Sequence, residues 1–228
     1  PADAGGKYGL GDAIVDKIYR DREGGTWICT QFGGASYLPV RTLDFSVYLP
    51  GAPGTVSGRR ISELAEGKDG VVWGSTQDGG VCYWNPGTQT FTKIPQSPDR
   101  QNVLSLFASD DLVGAGYFKG GIDLIVPQDQ VQTFYPAQLG ISEGSVFALY
   151  RDRGGAIWLG DGWNIFRSAD KGQTFEKMEQ FGYAYMRDIL EDKCGNIWVA
   201  TMGSGIFRYH PQTDQMVSYK CIPEDSTS

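Results

Sequence analysis

The chain has 228 residues, of which 40% are hydrophobic, 13% are aromatic and 32 are glycine, and its formal net charge is −7. This composition indicates a globular protein made of short, closely packed segments, and it excludes intrinsic disorder. Without a Lys/Arg cluster, the acidic balance argues against nucleic acid and anionic membranes as partners. No stretch approaches the roughly 20 apolar residues of a spanning helix, so we expect no membrane contact from this segment itself.

One sequence unit occurs five times along the chain. Each copy has an apolar run, a turn of the type Asp-x-x-Gly and a second apolar run. In four copies the second run begins with tryptophan, at Trp27, Trp73, Trp158 and Trp198, and Gly114 takes this column in the third copy. The copies are about 40 to 46 residues apart, which is the period of a four-stranded propeller blade. Short Val, Ile, Tyr, Phe and Trp runs between Gly, Asp, Asn and Pro turns disfavour a helical array.

Taken in chain order, the copies predict these strands. The first copy begins with Ile14–Tyr19 and continues from Trp27. The second copy contributes Val81–Trp84 and Thr90–Ile94, and the third ends with Val131–Tyr135. The fourth copy runs from Val146–Tyr150 to Thr174–Met178. The fifth contributes Trp198–Thr201, Ile206–Tyr209 and Met216–Tyr219.

The predicted fold is all-β, a β-propeller of about five four-stranded antiparallel blades in a single domain over residues 1–228. The blades are expected at approximately 14–60, 61–102, 103–145, 146–185 and 186–222. The first and last residues resemble linkers between blades, so we expect a segment of a larger propeller. A closed five-bladed ring is the structural alternative, because propellers close with typically four to eight blades.

The repeat also resembles a known family, the two-component regulator propeller repeats. The fifth copy, from Asp192 to Thr201, reads DKCGNIWVAT and is almost the family consensus, and the resemblance extends from Ile14 to Tyr219. Members of this family are periplasmic input regions of hybrid two-component histidine kinases. The resemblance implies a ligand-sensing domain for glycan fragments that has no catalysis or cofactor of its own. It also implies a periplasmic location and a membrane-anchored parent protein that is the kinase.

Two copies depart from the pattern. The third loses the hairpin glycine and the tryptophan, which predicts a blade that is looser or packed differently. The fourth has a shortened glycine turn carrying Trp163, followed by Ser168–Phe175, which resembles an Asp-box, a hairpin held by an aspartate side chain. Asp-boxes occur in sialidases, so a glycoside hydrolase is an alternative. Its discriminating feature would be a carboxylate pair at the central channel.

Metal and nucleophile chemistry find little support in the sequence. His210 is the single histidine, so neither a zinc site nor a Ser-His-Asp triad can be assembled. The cysteines lack CxxC spacing. We expect Cys29 and Cys82 to pack in strands, and a bridge between Cys194 and Cys221 stays open.

Candidate ligand contacts are the polar and aromatic residues outside the repeat pattern. The repeat tryptophans themselves are expected to pack between blades. The predicted ligand-binding residues are Trp163, Tyr117, Tyr183, Tyr185 and Arg187. The leading hypothesis is a sensor that binds an oligosaccharide. The alternatives are a structural or dimer-forming segment, whose partners are neighbouring blades or a second copy of the chain, and a glycan-cleaving enzyme.

Overall fold

The structure is a computed structural model that describes residues 14–20, 24–30, 34–38, 48, 50, 53–96, 100–126, 130–141, 144–182 and 184–220. The chain forms two compact units, residues 1–47 and 48–228. Within the described ranges, no helix is long and apolar enough to cross a membrane.

The first unit contains a three-stranded antiparallel sheet. Its strands are β1 (Val15–Arg20), β2 (Thr26–Thr30) and β3 (Gly34–Leu38), in the order β1-β2-β3. Trp27 lies opposite Tyr19 in the ladder, as the first repeat predicts. Residues 39–47 lie outside the described residues, so a fourth strand of this blade stays a prediction.

The second unit contains four sheets of four antiparallel strands, and in each sheet the strands follow one another in chain order. Blade two comprises β4 (Ile61–Glu66), β5 (Val72–Thr76), β6 (Gly80–Asn85) and β7 (Thr90–Lys93). Blade three comprises β8 (Val103–Ala108), β9 (Val113–Tyr117), β10 (Gly121–Ile125) and β11 (Val131–Phe134). Blade four comprises β12 (Ala148–Arg151), β13 (Ile157–Gly160), β14 (Ile165–Ser168) and β15 (Glu176–Lys177). Blade five comprises β16 (Tyr185–Glu191), β17 (Ile197–Met202), β18 (Ile206–His210) and β19 (Gln215–Tyr219).

These sheets confirm the predicted all-β propeller architecture. Helical structure in the described ranges is confined to one α-helical turn, α1 (Pro136–Leu139), and to short 3-10 turns such as Lys68–Gly70. The last strand of blade four is shorter than predicted, because the residues before it form the Asp-box hairpin.

The turn between the second and third strands needs glycine for geometric reasons. Gly121 has φ +71°, and a Cβ added there would lie 2.1 Å from the carbonyl oxygen of Phe134. Gly80 has φ +80° and is similarly crowded by Gln96. The repeat therefore keeps glycine here because a side chain would be both strained and blocked.

Each repeat tryptophan of blades two and four packs onto the blade that follows it. Trp73 shares a buried cluster with Val113 and Ala115 of blade three. Trp158, which is fully buried, shares one with Ile197 and Val199 of blade five. The predicted role of these rings, packing between adjacent blades, is confirmed for both.

Blade three replaces its missing tryptophan with a ring from the neighbouring strand. Phe107 of β8 lies opposite Gly114, and a Cβ at Gly114 would lie 2.2 Å from the Phe107 ring. Phe107 is buried in the cluster that joins blades three and four, beside residues such as Ile157 and Leu159. The blade is packed differently rather than loosely, since every residue of β9 and β10 is buried.

Candidate ligand-binding site

Three aromatic side chains meet where blade four contacts blade five. The rings of Trp163 and Tyr185 have centroids 5.4 Å apart and are perpendicular, and Phe147 lies 5.2 Å from Tyr185. Trp163 keeps 42% of its surface exposed. We call Phe147, Trp163 and Tyr185 the aromatic cluster. Two of the predicted ligand-binding residues, Trp163 and Tyr185, are therefore in contact.

The shortened turn of blade four holds Trp163 in this position. The carboxylate of Asp161, which is fully buried, accepts hydrogen bonds from the backbone N–H groups of Trp163 (3.0 Å) and Asn164 (2.8 Å). Gly162, at φ +98°, lets the chain reverse there. Its carbonyl oxygen accepts a hydrogen bond from the backbone N–H of Met186 in β16 (3.2 Å). The exposed indole of Trp163 therefore lies on a turn that is held by Asp161 and hydrogen-bonded to blade five.

Arg187 lies on the same strand as Tyr185. The pairing of β16 with β17 shifts register between Met186 and Asp188, so that Arg187 is the extra residue of a bulge. Bulges bend a strand and redirect a side chain, and they concentrate next to binding sites. Arg187 is exposed, and its side chain makes no hydrogen bond or ion pair with any described residue. It is an available cation two residues from the aromatic cluster.

Of the other two predicted contacts, Tyr117 is not part of this site. Tyr117 is fully buried, and its hydroxyl donates to Asp123 at 2.7 Å, so its ring offers no surface to a ligand. Burial, followed by the neighbouring charge of Asp123, raises the pKa of Tyr117, which keeps the phenol protonated and able to donate. Tyr183 lies outside the described residues.

Tyr117 packs against a buried ion pair that was not predicted from the sequence. Arg100 and Asp123 are 3% and 1% exposed, and Nη2 of Arg100 lies 2.8 Å from Oδ1 of Asp123. The Arg100 guanidinium carbon lies 4.2 Å from the centre of the Tyr117 ring, and Nη1 of Arg100 donates to the Gly120 carbonyl. A sequence signal existed, because Asp123 interrupts the apolar strand GIDLI and a buried aspartate needs a partner.

The Asp-box of blade four has the structural role that was predicted for it. The Asp170 carboxylate accepts hydrogen bonds from the Thr174 hydroxyl (2.6 Å), the Thr174 N–H (2.9 Å) and the Ser168 hydroxyl (2.7 Å). These hydrogen bonds, that of the Thr174 hydroxyl first, lower the pKa of Asp170. All three hydrogen bonds lie within the hairpin and close it.

A carboxylate pair would distinguish a glycoside hydrolase, and the innermost strands of blades two and five hold two candidate carboxylates, Glu63 and Asp188. Burial raises the pKa of Glu63 in β4, and the charge of Asp188 in β16 raises it further. Both groups have backbone partners, however. Oε2 of Glu63 accepts from the N–H of Leu106 (2.7 Å), and Oδ1 of Asp188 accepts from the N–H of Ile189 (2.8 Å). These contacts assign Glu63 to joining blades two and three.

The Glu63 environment leads to a test of stability. The pKa of Glu63 is higher in the folded protein than in the unfolded chain. The stability that protonated Glu63 contributes is therefore complete below the unfolded-state pKa, and it is lost as pH rises through the folded-state pKa. Glu63→Gln keeps an acceptor for Leu106 and removes the charge. We expect its thermal midpoint to exceed that of the unsubstituted chain at pH 7, with the difference shrinking at pH 4. Glu66→Gln, on the exposed end of the same strand, is the control. A lower midpoint for Glu63→Gln at pH 7 would contradict this assignment.

The last blade exposes an apolar flank. Leu190, Ile206 and Tyr219 are 48%, 44% and 44% exposed. Trp198 lies among them and stacks on Tyr219 at 5.7 Å. The alternative of a structural or dimer-forming segment predicts an exposed flank of this kind on an end blade.

Three cysteines in the described ranges are free. Cys82 is buried and Cys29 is half-buried, both in strands, whereas Cys194 is exposed. Cys221 lies outside the described residues, so the bridge to Cys194 stays a hypothesis. In the part of the chain that the structure describes, no three His, Cys, Asp or Glu side chains are grouped as metal ligands.

The sheets define the class of protein: the chain is a β-propeller segment. A family model described as a two-component regulator propeller matches residues 180–203, which include the sequence from Asp192 to Thr201. This match confirms the resemblance of the fifth copy to that family. No curated protein sequence matches the chain.

Solved structures support the fold assignment. The extracellular domain of BT3049 from B. thetaiotaomicron, assigned as a hybrid two-component system, is 22% identical, with a TM-score of 0.62 over 93% of this chain and 29% of its own. The extracellular domain of BT4673 from the same organism is 18% identical, with a TM-score of 0.61 over 92% of this chain and 28% of its own. Virginiamycin B lyase from Staphylococcus aureus is 12% identical, with a TM-score of 0.58 over 91% and 70%. This chain spans less than a third of the first two domains.

Proposed function

We propose that this chain is a ligand-sensing propeller segment from the input region of a hybrid two-component sensor kinase, and that it binds glycan fragments without catalysis. The observation that best supports ligand binding is the aromatic cluster, in which the exposed indole of Trp163 is held beside Tyr185 by a hydrogen-bonded turn. The regulator propeller repeat and the extracellular two-component domains with this fold support the sensor assignment. The same relatives support an extracytoplasmic, periplasmic location with the kinase elsewhere in the parent protein.

The cluster has the chemistry that sugar recognition uses. An indole presents a flat apolar face that can cover the C–H face of a pyranose ring, and Tyr and Trp bury large areas with few rotatable bonds. Arg187 adds a charged donor that can bind hydroxyls or the carboxylate of an acidic sugar. Trp163 belongs to blade four, whereas Tyr185 and Arg187 belong to blade five, so the proposed site spans two blades.

The experiment is a titration of the chain with neutral and acidic oligosaccharides, followed by calorimetry. Trp163→Ala is expected to weaken binding of the responding glycan at least about tenfold, the loss of one stacking contact. Phe118→Ala is the matched control, because Phe118 is 45% exposed and lies in the corresponding turn of blade three. Equal affinity of the Trp163→Ala and unsubstituted chains would remove the cluster from the site.

The same samples test the alternatives. Recovery of intact oligosaccharide after prolonged incubation is expected of a sensor, whereas cleavage products would establish the hydrolase. The exposed flank of blade five favours a structural segment as the second candidate, which would pack this flank against another apolar sheet. Self-association measured by light scattering, combined with no response to any glycan, would favour that candidate.

A further inference from the structure

A cavity lies between blades two and three, apart from the aromatic cluster. It has a volume of about 350 Å³, within the range of small-molecule sites. Its apolar wall comes from Val71, Tyr83, Ile94, Ile125 and Val131. Trp73, Lys68, Asp69 and Asp110 also line it. The cavity therefore combines an apolar interior with charges of both signs.

Trp73 lines this cavity, and its indole N–H is an unused donor. In blade four the N–H of Trp158 donates to Asp152, six residues earlier, and in blade five that of Trp198 donates to Asp192, both at 2.8 Å. Gly67 stands at this position in blade two, so the carboxylate is missing. Trp73 is only 5% exposed, and its N–H has no partner among the described residues. A ligand acceptor could therefore bind this donor.

Three charged side chains of the cavity are also available to a ligand. Lys68, Asp69 and Asp110 are exposed, and their side chains form no ion pair or hydrogen bond within the described parts of the chain. Lys68 and Asp69 belong to the hairpin that precedes Trp73, and Asp110 belongs to the corresponding hairpin of blade three. The site thus offers donors from Lys68 and the indole, and acceptors from the two aspartates.

We propose that this cavity binds a free α-amino acid with an apolar or aromatic side chain. Its carboxylate accepts from the Trp73 N–H and pairs with Lys68. Its ammonium group pairs with Asp69 and Asp110. Its side chain packs against the apolar wall, where Tyr83 and Ile125 exclude water. A simple anion would face the two aspartates and a simple cation would face Lys68, so a zwitterion matches the charges best.

The test is calorimetric titration of the chain with L-phenylalanine and L-leucine. We expect saturable binding with a dissociation constant of about 1 mM or tighter. N-acetyl-L-phenylalanine, which lacks the ammonium group, and L-phenylalanine amide, which lacks the carboxylate, should each bind at least about tenfold more weakly. Absence of saturable binding by both amino acids, or equal binding of the blocked derivatives, would overturn the proposal.

Substitutions locate the site. Lys68→Gln and Asp110→Asn change exposed residues and should each weaken binding at least about tenfold. Lys193→Gln is the matched control, because Lys193 precedes Trp198 by the same five residues as Lys68 precedes Trp73 and does not line the cavity. Trp73→Phe removes the N–H and keeps a ring, and its fold is checked by circular dichroism. Amino acid affinity unchanged in both Lys68→Gln and Asp110→Asn would contradict the assignment. Because the aromatic cluster is separate, loss of glycan binding in Trp163→Ala leaves this result unaffected.

Discussion

Replacing Trp158 with alanine is expected to lower the free energy of unfolding by about 3–5 kcal/mol, the range for deleting a buried aromatic ring. Trp158 is fully buried and joins blade four to Ile197 and Val199 of blade five. Its ring also lies 5.8 Å from Tyr209 of that blade, and its N–H donates to Asp152 at 2.8 Å. The substitution therefore removes an inter-blade contact, an aromatic pair and a hydrogen bond together.

Trp198→Ala is the matched control for this prediction. Trp198 makes the same 2.8 Å hydrogen bond, to Asp192, but it is half-buried and stacks on Tyr219 of its own blade. We expect it to lose about 1–2 kcal/mol, because less apolar area leaves water. Equilibrium urea unfolding followed by circular dichroism measures both. Equal losses would mean that the tryptophan stabilises its own hairpin rather than the contact between blades.

The fold could be predicted from the repeat, because equivalent residues of each copy pack in equivalent places. Trp73 and Trp158 occupy one sequence column, and both pack onto the blade that follows. The third copy was harder to interpret, since Gly114 removes the signal from that column. Phe107 fills the space from the opposite strand, and this exchange depends on the cross-strand register rather than on sequence order.

The candidate site was only partly predictable for a similar reason. Trp163 and Tyr185 were singled out as departures from the pattern, but their contact joins turns of two blades and has no local signal. Tyr117 also departs from the pattern, yet it continues the buried alternation of Val113 and Ala115 on one face of β9. A residue outside the repeat consensus is thus equally compatible with ligand contact and with a packing role specific to its blade.

Replacing Arg100 with methionine is expected to lower the free energy of unfolding by about 3–5 kcal/mol, because it leaves a buried carboxylate without its cation. Asp123, 1% exposed, would retain only neutral donors, namely the hydroxyls of Tyr117 (2.7 Å) and Thr133 (2.8 Å) and the Gln96 amide (3.4 Å). Methionine keeps much of the apolar stem of arginine, so the loss reports mainly on charge and hydrogen bonding. Urea unfolding at pH 7 gives the value.

The double variant Arg100→Met/Asp123→Asn separates the uncompensated charge from lost packing. Asparagine keeps one acceptor oxygen, and its NH2 group can donate to a hydroxyl oxygen in place of the second acceptor. Because it carries no charge, we expect the double variant to be more stable than Arg100→Met alone. The Arg100–Asp123 pair would then fix the position of the linker before blade three without adding net stability. If the double variant is as unstable as the sum of its two single variants, the residues act independently and the destabilisation of Arg100→Met comes from lost packing over the Tyr117 ring.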